Sequence, residues 1–279
     1  MESTLEQLVE AAKEGDKKAL EDLVLKIQDK IFGLTLRMLY NPSDAEDAAQ
    51  EILIRIITRL STFRGESAFT TWMYRVAVNH LLTLRRHQPE LEAVSFEEYE
   101  KSLELDSPVD WQESSSSALQ QIYVEEIMIS CLQGLLLCLD REHRLAYLLA
   151  EVFDVSSEQG AAIQEITPTA FRKRLSRARE RIQDFMKRNC ALINPDNPCS
   201  CQRYLISHGY MERVAEKDLV FAEHPCRVKH ERRTVHRIKE MDELTRIAAL
   251  YKEYPDFQAP SALIENIRNL VRSNKYELL

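Results

Sequence analysis

Glycine is scarce in this chain, and that scarcity limits the folds open to it. Only six of the 279 residues are glycine, about 2% against an average usage near 7%. Folds that hold a nucleotide phosphate on a tight turn need glycine at positive φ, and neither GxGxxG nor GxxxxGK[ST] occurs in the chain. Dinucleotide-binding and P-loop NTPase folds are therefore disfavoured. The abundance of good helix formers predicts an all-α protein instead.

The first 87 residues have the apolar spacing of amphipathic helices. Between residues 16 and 40, apolar side chains recur at three- and four-residue steps. We expect Ser43 and Glu46 to form a capping box that starts the next helix. A third helix is predicted over residues 68–87. Residues 1–87 are thus expected to form one helical domain.

Residues 88–117 differ sharply from their surroundings. They contain nine acidic residues and one lysine, a net charge of −8 that equals the charge of the whole chain. Two prolines and the serines at 114–117 add to this bias. The composition predicts an acidic flexible linker between two domains.

Residues 118–188 are predicted to form a second helical domain that ends in a helix-turn-helix. Thr167 as N-cap and Pro168 at the first helical position mark the start of its last helix. A shorter helix precedes it across a tight turn. The last helix has eight cationic and two acidic residues, which suits a helix that enters the major groove of DNA. A solvated charged face is the alternative.

A second nucleic-acid signal lies within residues 63–87, where aromatic, cationic and amide side chains alternate around Trp72. Single-stranded DNA is bound by such mixtures, because bases stack on the rings while cations follow the backbone. Taken alone, the same residues also fit the core-facing side of an ordinary helix.

Three segments together resemble the extracytoplasmic-function sigma factors, bacterial subunits that direct RNA polymerase to promoters. They occur in the family's order and spacing, and the resemblance covers roughly residues 10–188. The segments are DAEDAAQE at 44–51, FRGESAFTTWMYRVAVN at 63–79 and AFRKRLSRAR at 170–179.

The resemblance implies roles for particular residues. Docking on core RNA polymerase is assigned to Asp44, Glu46, Asp47, Gln50 and Glu51. Binding of the melted −10 element is assigned to Arg64, Trp72, Arg75, Asn79, His80, Arg85 and Arg86. Reading of the duplex −35 element is assigned to Thr167, Thr169, Arg172, Lys173, Arg174, Arg177 and Arg179. The acidic linker would then pass through the active cleft of the polymerase.

Cysteines cluster just beyond the basic helix, in a C-x8-C-x-C pattern. Thiolates are suitable ligands for a structural Zn²⁺, which needs four. The candidate ligands are Cys190, Cys199, Cys201 and Cys226, with His208 or His224 as alternatives for the fourth. A redox-sensitive thiol site and unligated cysteines remain open alternatives. Cys131 and Cys138 are expected to lie in the core.

Residues 189–279 lie beyond a minimal sigma factor and are expected to form a mostly helical, regulatory extension. Basic residues between positions 227 and 239 would bind the acidic linker in cis. The alternative is that they add contacts to DNA phosphates.

The sequence therefore predicts a cytoplasmic alternative sigma factor that is not an enzyme. Its expected partners are core RNA polymerase, promoter DNA and an anti-sigma factor, without membrane insertion. A helix-turn-helix regulator that never docks on polymerase is the main alternative, but such a regulator needs neither the acidic helix nor the Trp72 region. A metal-dependent hydrolase is disfavoured because three thiolates leave little room for an open catalytic site.

Overall fold

The computed structural model describes residues 4–84, 94–104, 117–221, 243–253 and 257–272. Within these ranges the regular structure is helical, apart from isolated β-bridge residues, among which Cys190 pairs with Cys199. This confirms the all-α prediction. No helix in the described ranges combines the length and apolar character that crossing a membrane requires.

In chain order, the helices of the described residues are α1 (Leu5–Lys13), α2 (Lys17–Leu39), α3 (Pro42–Thr58), α4 (Phe69–Leu84), α5 (Phe96–Ser102), α6 (Ala118–Leu137), α7 (Arg141–Tyr147), α8 (Ser157–Gln164), α9 (Pro168–Asn189), α10 (Cys201–Ser207), α11 (Tyr210–Arg213), α12 (Glu243–Glu253) and α13 (Ser261–Arg272). A 3-10 turn (Leu60–Thr62) follows α3, a π-helical turn (Leu148–Val152) extends α7, and a second 3-10 turn (Glu216–Asp218) follows α11.

The described residues divide into two compact units, each of which combines stretches that are far apart in sequence. The first unit takes its residues from Met1–Glu90, Phe153–Lys173 and Phe257–Leu279, and the second from Leu91–Val152 and Arg174–Asp256. The division into four consecutive domains, with boundaries at residues 87, 117 and 188, stays a prediction.

Side-chain caps decide where several helices begin. Thr167 accepts a hydrogen bond from the backbone N–H of Ala170 at 3.2 Å, as expected for the N-cap of α9. The predicted capping box of Ser43 and Glu46 is wrong. Asn41 caps α3 instead, because its side-chain oxygen accepts two backbone N–H groups at 2.9 and 3.2 Å. The proline that follows Asn41 has the fixed φ that suits the first helical position.

The first unit is built around α2, α3 and α4, whose apolar faces are buried together. Phe32, Ile52, Leu53 and Phe69 are all fully buried there. Burial of side chains of this size stabilises the unit by roughly 1.5–3 kcal/mol each. In addition, α8 packs against α4.

The predicted linker contains a short helix where a flexible chain is expected. Ser95 caps α5, and the rings of Phe96 and Tyr99 pack against Phe185 of α9 with centroids 5.9 and 5.8 Å apart. The Tyr99 hydroxyl also donates to the carbonyl of Cys131 at 3.1 Å. This helix was not predicted from the sequence, and it has an apolar side because its two aromatic side chains lie one turn apart in an otherwise acidic segment. Residues 85–93 and 105–116 of the same stretch lie outside the described residues.

A buried carboxylate organises part of the second unit. Glu126 of α6 is only 1% exposed, and its oxygens accept the backbone N–H groups of Val220 and Phe221 at 2.9 and 2.8 Å. The Tyr123 hydroxyl donates to the Val214 carbonyl at 2.8 Å. Charge-assisted hydrogen bonds of this kind are the stronger ones, so the segment after α11 is fixed on α6.

Candidate nucleic-acid interface

A pocket of about 400 Å³ lies on the first unit, between the end of α3 and the outer face of α4. Its lining residues are Arg55, Arg59, Thr62, Trp72, Arg75, Val76, Asn79, His80 and Thr83. The structure thus brings together four residues predicted to bind the melted −10 element. Arg64 is exposed in the loop before α4 and does not line the pocket. Arg85 and Arg86 lie outside the described residues.

Trp72 is held in place by two buried aromatic neighbours. The centroid of its ring is 5.7 Å from that of Phe63 and 5.7 Å from that of Phe69. Trp72 itself is only half-buried, so part of the indole remains accessible. Immobilised aromatic side chains with an accessible face bind unstacked bases well, because little further freedom is lost on binding.

Arg55 and Arg59 are pocket residues that were not predicted from the sequence. Both lie at the end of α3, four positions apart, and that helix was assigned to polymerase docking alone. With Arg75 they bring three guanidinium groups to the pocket that holds Trp72. Guanidinium groups bind phosphate oxygens through directed, charge-assisted hydrogen bonds. The pocket can therefore take a base and its phosphates together.

His80 contributes a neutral ring to this pocket rather than a charge. It is 7% exposed, and burial lowers its pKa, with the positive charge of Arg55 lowering it further. The carboxylate of Glu51 opposes this shift from 3.7 Å away. His80 is accordingly unprotonated near pH 7, in contrast to the arginines around it.

Acidification below pH 6.5 is expected to destabilise the first unit because of His80. An unfolded histidine titrates near 6.5, so between that value and the lower native pKa the unfolded state binds more protons. The free energy of unfolding should then fall with decreasing pH by at most about 1.4 kcal/mol per pH unit from this group. Urea unfolding followed by tryptophan fluorescence at several pH values measures the effect. His80→Gln should make the free energy of unfolding depend less on pH. An equally steep pH dependence in that variant would show that His80 is not its cause.

An acidic stripe runs along the exposed face of α3. Asp44, Asp47 and Glu51 are exposed at positions i, i+3 and i+7, while Glu46 and Gln50 beside them are half-buried. The opposite face of α3 is buried in the first unit. All five residues predicted to bind polymerase therefore lie on one helix. The three carboxylates of the stripe are exposed, and Glu51 also pairs with Arg55 at 3.6 Å.

The basic helix α9 keeps an exposed cationic surface. Thr167, Thr169, Lys173 and Arg177 are all exposed. The other predicted cations pair with nearby acids: Arg172 with Glu158, Arg174 with Glu142 and Arg179 with Glu151. Ion pairs at the surface contribute about 0–1 kcal/mol each, so phosphates can replace these carboxylates at little cost.

Three of the predicted metal ligands lie close together without forming a metal site. Cys190 and Cys199 are paired across the β-bridge, and Cys201 begins α10. Burial raises the pKa of all three thiols, that of Cys199 to about 11. Among the residues with described positions, no three His, Cys, Asp or Glu side chains are grouped so that they could hold a metal ion. These residues alone therefore do not fit a bound zinc ion.

His208, one candidate for the fourth zinc ligand, packs against an aromatic ring. The ring of His208 stacks on Tyr204 with centroids 3.9 Å apart. Cys226 and His224 lie outside the described residues. Zinc binding stays a prediction, and neither the pocket nor the basic surface of α9 depends on it.

Two family models match this chain. The chain matches the family models of sigma-70 region 2 at residues 23–89 and sigma-70 region 4 at residues 129–182. Region 2 therefore includes α3, α4 and the pocket, and region 4 includes the helix-turn-helix of α8 and most of α9.

Curated relatives match over most of their own length. The RNA polymerase sigma-H factor of Pseudomonas aeruginosa is 35% identical over 186 residues, which are 65% of this chain and 93% of that protein. The ECF RNA polymerase sigma-E factor of Escherichia coli K12 is 35% identical over 187 residues, or 63% of this chain and 91% of that protein. A solved structure of the sigma factor RpoE with the anti-sigma factor NepR from Bartonella quintana shares 20% identity at a TM-score of 0.44, covering 61% of this chain and 98% of that one. The chain belongs to the extracytoplasmic-function family of RNA polymerase sigma factors.

Proposed function

We propose that the chain is an alternative sigma factor that docks on core RNA polymerase through α3, holds the melted −10 strand in the pocket beside Trp72 and reads the duplex −35 element with α9. The observation that carries this proposal is the pocket, which is lined by three arginines and by a fixed indole. A regulator that binds only duplex DNA has no use for such a pocket.

The three surfaces differ in chemistry, and each suits a different binding partner. Unpaired bases expose their faces for stacking, which suits the pocket, whereas paired bases expose only their edges, which suits a helix in the major groove. The acidic stripe repels DNA and is therefore suited to a basic protein surface. In this function the chain directs the polymerase and performs no catalytic step itself, and it acts in the cytoplasm, where polymerase and DNA are found.

Reversing charge on α3 should weaken binding to core RNA polymerase. We expect Asp47→Lys combined with Glu51→Lys to raise the dissociation constant by about tenfold or more, equivalent to at least about 1.4 kcal/mol. The difference should shrink as salt increases, because exposed charges are screened. Fluorescence titration of labelled protein with core polymerase at two salt concentrations measures both effects.

A matched control distinguishes docking from general charge. Glu10→Lys changes an exposed carboxylate on α1 that makes only a local ion pair with Lys13, and it should leave the affinity unchanged. Equal affinity of the α3 variant and the wild type would remove α3 from the polymerase interface. Failure of the wild-type protein to bind core polymerase at moderate salt would favour a regulator that acts without polymerase.

A further inference from the structure

One end of the C-terminal extension is seated on region 4. Helix α12 packs against the π-helical turn that extends α7, within the second compact unit. The rings of Tyr251 and Tyr147 meet edge to face there, with centroids 5.4 Å apart. Ile247 and Leu250 of the same helix are at most 2% exposed. The π-helical turn belongs to the stretch that matches region 4, so α12 is held by that region.

The other end of the extension, residues 257–272, is seated on α2 and α3 of region 2, within the first unit. The Arg37 guanidinium lies 5.0 Å from the centroid of the Phe257 ring. Four apolar side chains of this segment are at most 3% exposed: Phe257, Leu263, Ile267 and Val271. Both ends lie beyond the stretches that match the sigma family models. The extension is thus an addition to the two regions that it contacts.

Only three residues, 254–256, join α12 to the segment on region 2. The four peptide units from Glu253 to Phe257 can span at most about 14 Å. This limit comes from the covalent chain and holds for every arrangement of the two units. While both ends stay seated, the extension therefore restricts how far region 4 can move away from region 2.

Binding of both promoter elements needs a larger separation than this connection allows. The −10 and −35 elements are centred about 25 base pairs apart, as their names indicate, which is about 85 Å along duplex DNA. Domains of the size of region 2 and region 4 are each roughly 30 Å across. Even if each seat were on the side of its region that is farthest from DNA, the pocket and α9 could be at most about 75 Å apart. One end of the extension must then be released.

The two seats differ in how well their polar groups are satisfied. On region 2, the backbone N–H of Ala259 donates to Asp29 at 2.9 Å. Arg272 makes two hydrogen bonds with Glu21 there, at 2.9 and 3.1 Å. On region 4, Tyr251 is buried, but its hydroxyl has no hydrogen-bond partner among the described residues. A buried polar group without a partner weakens the contact that buries it, so we expect the α12 end to be released.

We propose that residues 243–272 are a strap that restrains the separation of region 4 from region 2, and that binding of both promoter elements releases α12 while α13 stays on region 2. The proposal rests on the proposed function. Because only the released form binds both elements, the observed affinity for promoter DNA is lowered in proportion to the fraction of molecules that is released.

Lengthening the connection tests the strap and leaves both seats intact. The variant has about 20 glycine and serine residues, a flexible linker, inserted within residues 254–256 of the full chain. The DNA probe is a genomic fragment of the host that core RNA polymerase transcribes with the wild-type protein. With core polymerase present, the lengthened protein should bind this fragment about fivefold more tightly or better. The same insertion within residues 222–242, where the chain already has 21 residues, is the matched control and should change nothing.

Tyr251→Phe supplies a second variant that keeps the shape of the side chain. It removes the unpartnered hydroxyl, so backbone amides of α12 should exchange hydrogen more slowly in the free protein. Promoter affinity should fall by about fivefold, but only when residues 254–256 have their natural length. In the promoter complex of the wild type, amides of α12 should exchange faster than in the free protein, whereas those of α13 should not.

Three results would count against the strap. Equal promoter affinity of the lengthened variant and the wild type would overturn the proposal, and so would an α12 that stays protected from exchange in the wild-type promoter complex. Loss of protection in α13 instead of α12 would contradict the release of α12. If the wild-type protein gives no transcribed fragment at all, the proposed function itself fails, and the strap, which acts on that function, fails with it.

Discussion

Replacing Trp72 by alanine is expected to reduce sigma-dependent promoter opening by roughly 5- to 150-fold. Stacking of one base on an aromatic side chain contributes about 1–3 kcal/mol, and Trp72 is the aromatic residue of the pocket. Affinity for core RNA polymerase should stay the same, because α3 makes that contact in the proposed function. Permanganate reactivity of unpaired thymines in polymerase–promoter complexes measures opening directly.

Two further variants separate stacking from folding. Trp72→Phe keeps an aromatic ring between Phe63 and Phe69 and should retain most of the opening. Leu82→Ala removes an exposed apolar side chain elsewhere on α4 and should have no effect. If Trp72→Ala opened promoters as well as Leu82→Ala does, the pocket would not be the site that holds the melted strand.

The second large effect is expected at Gly160, where alanine should destabilise the protein although alanine is the better helix former. A Cβ at this position would lie 2.3 Å from Cζ of Phe171, which is completely buried. Overpacking of this kind costs about 1–3 kcal/mol or more, which exceeds the gain of about 1 kcal/mol in helix propensity. Chemical unfolding of both proteins gives the difference in the free energy of unfolding.

A double-mutant cycle tests whether a clash with Phe171 causes the destabilisation by Gly160→Ala. Phe171→Leu frees space, so its combination with Gly160→Ala should be less destabilising than the sum of the two single changes. Gly33→Ala is the comparison variant. Its new Cβ would lie 3.0 Å from the Arg37 guanidinium, a milder approach than that to Phe171, so it should be less destabilising than Gly160→Ala. An additive cycle, or stabilisation by Gly160→Ala, would show that α8 and α9 do not pack this closely.

Local signals in the sequence were sufficient to predict most helices and the helix-turn-helix. Thr167 and Pro168 mark the start of α9 because a cap and a fixed φ act within a few residues. The same rule gave a wrong start for α3, where Asn41 and Ser43 both suit an N-cap and the intervening proline decides in favour of Asn41.

Features that depend on contacts between residues far apart in the sequence were harder to predict. Because residues 88–117 are acidic, they were predicted to be a linker and α5 was not predicted. The contacts that hold α5 in place involve Phe185 of α9, far away in the sequence. Arg55 and Arg59 were not predicted as pocket residues, because the sequence motif at residues 44–51 assigned α3 to polymerase docking alone. In the structure α3 contributes both to the acidic stripe and to the pocket. The contacts of Arg75 with Ala162 and of Phe257 with Arg37 join residues far apart in the chain, for which a single sequence contains no signal.

Transcription by core RNA polymerase from fragmented genomic DNA of the host, with and without this protein, is the decisive test of promoter recognition. We expect new, discrete RNA 5′ ends in the presence of the protein, preceded by a shared two-part sequence. Those transcripts should be lost with the α3 double variant and strongly reduced with Trp72→Ala. Binding of the protein to core polymerase without any new 5′ ends would contradict its assignment as a sigma factor.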